Sequence, residues 1–214
     1  MQRIILSALG LGALALGGCA GGNMEFDETG GVRIVRSACP AVAIPAQTGD
    51  ITLFNPPSSR DARAIDVVAT IVNLKSSCDG NSDPLRATAS FEVLARRSST
   101  AGAREVIIPY FSSVIRGGNQ VVSKQVGRVA LRFEDGQARA STTGQASATV
   151  TRAAATIPED VQKQITRRRK PGDADAAVDP MTDPAVRSAV QRASFELLVG
   201  FQLTDAQLAY NATR

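Results

Sequence analysis

The pattern that most constrains this chain is the alternation in Leu85–Ala95, LRATASFEVLA, where Leu85, Ala87, Ala89, Phe91 and Val93 share one side. A period of two puts those residues on one face of a strand and the polar ones on the other. Such a strand is stable only when a second layer covers its apolar face. Similar segments recur along the chain. Ile51–Phe54 stops at Asn55-Pro56-Pro57, and Asp66–Leu74 (DVVATIVNL) is a β-branched run that reads as a buried strand. Cys78–Pro84 (CDGNSDP) is turn chemistry throughout. Glu105–Ile115 and Gln120–Phe133 flank Arg116-Gly117-Gly118-Asn119, whose glycines supply the positive φ angles of a tight hairpin. Pro109 in the first arm lacks a ladder donor, which predicts an edge or a bulge. Val32–Ala38, Ala146–Thr156 and Ser194–Leu203 complete the strand set. Helical signals are few: Pro158–Arg168, Ala185–Gln191 after Asp183-Pro184, and a capped terminal helix beginning at Thr204. The expected fold is mainly β, an immunoglobulin- or fibronectin-like β-sandwich with a short C-terminal helix; a small barrel is the alternative.

The chain opens MQRIILSALGLGALALGGC. Arg3 provides a positive start, Ile4–Leu16 an apolar run, and Gly17-Gly18 small residues before Cys19. This is the secretory signal layout, and it is too short and glycine-rich for a good transmembrane helix. Leu16-Gly17-Gly18-Cys19 resembles the bacterial lipobox. The resemblance implies a signal peptide over 1–18 that is removed, a diacylglycerol on the Cys19 thiol, and acylation of the new amino group. Several acyl chains anchor a domain stably, at roughly 0.8 kcal/mol per buried methylene, whereas one is marginal. Ala20, in place of an aspartate after the cysteine, implies sorting to the outer membrane, with the domain on its periplasmic face. Residues 19–31 read as a flexible, glycine-rich tether. Residues 32–214 read as one domain, with a disordered insertion near 170–184 (KPGDADAAVDPMTDP over Lys170–Pro184). With Cys19 committed to lipid, Cys39 and Cys78 are an even pair in an oxidising compartment, and a Cys39–Cys78 disulfide is expected. It would close a loop of about 40 residues, for roughly 3–4 kcal/mol of stabilisation.

Hydrophobic residues make up 43% of the chain and aromatics 4%, with no tryptophan, so the core must be built from Val, Ile, Leu and Ala. A net charge of +4 is too mild to imply nucleic acid. Histidine is absent, which removes the commonest general base, the Ser–His and Cys–His nucleophile pairs and most zinc sites. Asp66, Glu92, Glu105 and Asp135 are available for two-carboxylate chemistry, but each stands singly at a strand end or on a polar face. No enzyme activity, cofactor or metal is expected. Arg167-Arg168-Arg169-Lys170 is the densest basic run; it reads as a solvated helix end, with anionic lipid headgroups as the competing reading. In Tyr110-Phe111, alternation places one ring inside and one in solvent; Phe111 is assigned to the core and Tyr110 to a candidate glycan contact. Phe195, Phe201 and Tyr210 read as core and clasp residues.

The lipobox, Cys39-Pro40, the paired Cys78 and the tail FELLVGFQLTDAQLAYN resemble uncharacterised lipoproteins of Alphaproteobacteria. That resemblance implies no catalytic residues. The expected function is a non-enzymatic structural or adaptor protein of the cell envelope, joined to the membrane through Cys19 and to an envelope protein or polysaccharide partner. A glycan or small-ligand binding module on a lipid anchor is the alternative.

Overall fold

The computed structural model describes residues 37–167 and 172–213. The expected signal peptide, Cys19, the tether and Val32–Arg36 lie outside the described residues. Two four-stranded sheets pack face to face. The first has the order β1-β8-β5-β6 and contains Ala41–Ala43 (β1), Arg104–Arg116 (β5), Gln120–Phe133 (β6) and Phe195–Phe201 (β8). The second has the order β2-β3-β4-β7 and contains Asp50–Phe54 (β2), Ile65–Cys78 (β3), Leu85–Arg97 (β4) and Arg139–Val150 (β7). All neighbours are antiparallel except β1 and β8. The expected mainly β, two-sheet architecture with a short C-terminal helix is present, and its strand order is its own. In the immunoglobulin order the second and third strands belong to opposite sheets, whereas here β2, β3 and β4 follow one another in one sheet.

The alternation read in β4 is the core. Leu85, Ala87, Ala89, Phe91 and Val93 are each exposed by 2% or less. They face Ile108, Leu131, Leu197 and Val199 of the other sheet within one apolar cluster. Ala87 and Ala89 pair across the ladder with Ala148 and Ala146, so the second sheet presents small side chains where the first presents large ones. Two aromatic rings lie on cross-strand glycines. Phe91 covers Gly144, where a Cβ would come within 2.3 Å of the ring, and Tyr110 covers Gly127, where it would come within 2.5 Å. The two rings then meet edge to face at 5.2 Å, a geometry that contributes about 0.5–1.5 kcal/mol beyond burial.

Several local readings shift. The hairpin forms as expected, with Gly117 and Gly118 at φ 64 and 81. Pro109, however, lies on an interior strand. Its carbonyl accepts from the Gln202 N–H just past the end of β8, so the missing donor costs the ladder a bond only at its limit. The bulge in this pair is at Val114/Ile115 instead. The strand expected at Ala146–Thr156 begins seven residues earlier and ends at Val150. A helical turn, α1 (Arg152–Ala155), comes directly after it. There the Arg152 N–H donates to Asp83 and its guanidinium donates to the carbonyls of Gly80 and Ser82. Contacts with the 79–84 turn thus override the strand propensity of the threonines.

Glu159–Thr166 (α2), Pro184–Arg192 (α3) and a 3₁₀ turn at Pro180–Thr182 form a small second core around Val161, Val186, Ala189 and Val190, with Met181 packed against it. Over 172–184, the described part of the expected insertion is a succession of turns. Asp179 caps the 3₁₀ turn by accepting from the Met181 N–H, and Asp183 caps α3 by accepting from the Ala185 N–H. The terminal helix, Asp205–Thr213 (α4), begins with a reciprocal box in which Thr204 N–H donates to the Gln207 side chain and Gln207 N–H donates to Thr204 Oγ1. Tyr210 clasps Phe54 edge-on at 5.2 Å, and Asn211 donates to the carbonyls of Gln47 and Asp50.

The sandwich has two unlike ends. At one lie Cys39, its disulfide partner Cys78, the 79–84 turn, the hairpin tip and the α1–α3 segment. At the other lie the 98–103 and 134–138 loops, joined by Arg97. That side chain is only 3% exposed and donates to four carbonyls, those of Gln137, Gly102, Thr100 and Glu134, at 2.7–2.8 Å.

Candidate functional site

On the outer face of the second sheet, the register of β3, β4 and β7 lays side chains in rows. The first is Val68, Arg96 and Arg139; the second Thr70, Leu94 and Ser141; the third Val72, Glu92 and Thr143; the fourth Lys75, Ser90 and Gln145. The first two rows line a concavity of about 520 Å³, and the next two contribute to one of about 580 Å³ beside it. Between Val72 and Lys75, β3 carries one residue more than β4, and Asn73 takes φ 52 there. A bulge of this kind bends its strand and strengthens the local twist. Asn73 Nδ2 donates to Glu92 across the ladder at 2.8 Å, which holds the bulge against β4. The bend thus lies in the row where the two concavities adjoin.

The charges of this face differ in how they are satisfied. Glu92 is held by Asn73. Arg96 and Arg139 are direct cross-strand partners, both exposed, and neither joins an ion pair among the described residues. Like charges directly opposite one another destabilise an antiparallel pair. Leu94, beside them, is 45% exposed. An open apolar floor next to two uncommitted guanidiniums offers a place for a negatively charged group with an apolar part.

The residues singled out in the sequence fall elsewhere. Cys39 and Cys78 form the expected disulfide, with Cα atoms 6.1 Å apart. Cys19 lies outside the described residues, as do Arg168, Arg169 and Lys170. Arg167 is described, at the end of α2, and pairs with Asp175. The four carboxylates remain separate in their commitments. Asp66 accepts two hydrogen bonds from Arg104, Glu92 accepts from Asn73, and Asp135 accepts from the Gly102 N–H. Glu105 lies opposite Arg132, which Glu134 and Glu105 together hold above its usual pKa, the hydrogen bond that Arg132 donates to Glu134 being the larger influence. Among the described residues, no three His, Cys, Asp or Glu side chains come together as metal ligands.

Tyr110 and Phe111 exchange their expected places. Tyr110 points between the sheets and its hydroxyl donates to the Gln145 carbonyl at 2.7 Å. Phe111 takes the outer side of β5, with the Lys124 ammonium over its ring. The reason is Gly127, whose bare backbone leaves room for the larger, hydroxyl-bearing ring to reach β7. Phe195 and Phe201 are core, as expected. The Arg96–Arg139 pair was missed because alternation places Arg96 outside but says nothing of which residue of β7 will stand opposite.

Compared with family models, curated proteins and solved structures, the chain matches none.

Proposed function

We propose that this chain is a lipid-anchored protein of the bacterial envelope that works by binding. Cys19 carries the acyl chains, residues 20–36 link them to the sandwich, and the outer face of the second sheet is the surface offered to an envelope partner. The observation that carries this reading is the separation of the two tasks in the fold. The chain joins the sandwich at the end stapled by Cys39–Cys78, while the Arg96–Arg139 concavity opens on a lateral face toward the other end.

Fractionation tests the anchor. The wild-type chain is expected in the outer-membrane fraction with labelled acyl chains, and Cys19→Ser without label in the soluble periplasm. Unchanged membrane attachment of the Cys19→Ser protein would reject the lipid anchor. For the adaptor role, crosslinking of tagged chain in cells should recover one stoichiometric envelope partner, lost when Leu94 is replaced by Glu.

A small-ligand module is the second reading, and the 520 Å³ concavity favours it over the aromatic platform first assigned to Tyr110. The Tyr110 hydroxyl is already spent on Gln145, and its ring is stacked on Gly127.

A further inference from the structure

We infer that Arg96 and Arg139 bind the acidic head of a small organic anion, a carboxylate or phosphate, whose apolar body lies over Val68 and Leu94. The site itself stands on geometry; that it is offered to an anion in the envelope rests on the proposed function.

Four observations converge. The first is that two guanidiniums occupy one cross-strand position with no ion pair to either among the described residues. Three neighbouring arginines at this end of the sandwich do have protein partners: Arg104 pairs with Asp66 at 2.7 Å, Arg132 pairs with Glu134 at 2.7 Å, and Arg97 donates to four carbonyls. The opposed pair is therefore a local cost that an oxyanion between the two forks would reverse, because planar guanidiniums match carboxylate and phosphate geometry bidentately. The second is that the next row is apolar at its centre, with Leu94 exposed and the Ser141 hydroxyl at its side. A bare inorganic ion would leave that floor wet, so the ligand carries an apolar portion.

The third is size: about 520 Å³ falls within the roughly 300–1,000 Å³ of small-molecule sites. The fourth is rigidity. Arg97 is next in sequence to Arg96, its N–H donates to the Ala138 carbonyl beside Arg139, and its side chain ties the adjoining loops together. Both guanidiniums thus rise from a backbone that is already held, which lowers the ordering cost of binding.

A lipid headgroup offers the same acidic chemistry, and the phosphatidylglycerol arm of the test separates it from a free anion.

The test uses the full chain in membranes with a diazirine derivative of octanoic acid as the photoprobe. Wild-type protein should be labelled on the β3–β4–β7 face near Val68 and Leu94. Unlabelled octanoate should compete, and neutral octyl glucoside should not. Arg96→Gln with Arg139→Gln should lower labelling at least tenfold without lowering the thermal midpoint, because the change removes two opposed like charges from exposed positions. Equal labelling of the variant, or equal competition by octyl glucoside, would overturn the inference. So would the absence of octanoate labelling together with binding to phosphatidylglycerol vesicles, which would assign the pair to lipid headgroups. Loss of membrane attachment with labelling intact would reject the anchor and leave the anion site standing.

Discussion

A single side chain, Arg97, organises one end of the molecule. Burying a guanidinium is tolerated only when its donors are satisfied, and here four loop carbonyls accept from it while Phe133 lies under its charge at 5.3 Å. Arg97→Met keeps the stem but removes the donor to the Gln137 and Gly102 carbonyls, each a penalty of order 1 kcal/mol or more, while the Thr100 and Glu134 carbonyls keep the N–H groups of Gly136 and Gln137. The expected loss is about 2–4 kcal/mol in urea denaturation; a loss below about 0.5 kcal/mol would show that water replaces the guanidinium freely. Asp61 illustrates the opposite extreme, a fully exposed cap. The Arg63 N–H donates to its carboxylate, with the Arg63 side chain adding to the effect, and this holds the carboxyl below its ordinary value of 3.8. Because the folded value is depressed, the cap is complete above 3.8 and is lost as pH falls through the lowered midpoint. An NMR titration should place that midpoint below 3.8; one at or above it would mean that the Ala62–Ala64 turn holds without the cap.

Among the elements, β6 is the exposed edge of the first sheet. Residues 120–126 are exposed on both faces, and Val121, Val122 and Val126 stand 55–61% open. Such an edge invites pairing with another chain, and a central lysine is the usual deterrent. Lys124 occupies that place, over Phe111. Lys124→Val should therefore raise self-association, seen as concentration-dependent dimer or larger species in light scattering; a strictly monomeric variant would remove this role from Lys124. The strands show how far local sequence reaches. The period-two run in β4 and the Gly-Gly turn between β5 and β6 are local chemistry, and the structure conforms to them closely. The first half of β7, RASTTGQ, carries no apolar face, and only its row-by-row pairing with β4 makes it a strand. The same limit hid the candidate site. Arg96 lies one residue beyond the expected end of β4 at Ala95, and its partnership with Arg139 exists only through register.

At the scale of the whole molecule, the disulfide is the strongest link between sequence and architecture. Cys39 and Cys78, separated by 39 positions, tie the start of β1 in one sheet to the end of β3 in the other. Replacing both by Ala should cost roughly 3–4 kcal/mol by loop entropy, measured as a drop in thermal midpoint with the β signal in circular dichroism retained. An unchanged midpoint would mean that the sheets' packing alone holds this end. In the proposed function, tether, staple and binding face form one design, in which the stapled end receives the chain and the lateral face of β3–β4–β7 meets the partner. That division is tested most directly in living cells by a photoreactive residue at position 94, on the proposed face, against one at position 107, on the other sheet and similarly exposed. A specific adduct from position 94, seen by intact mass, with none from position 107, is the result expected. Adducts from position 107 alone would place the working surface on the opposite sheet and contradict the account.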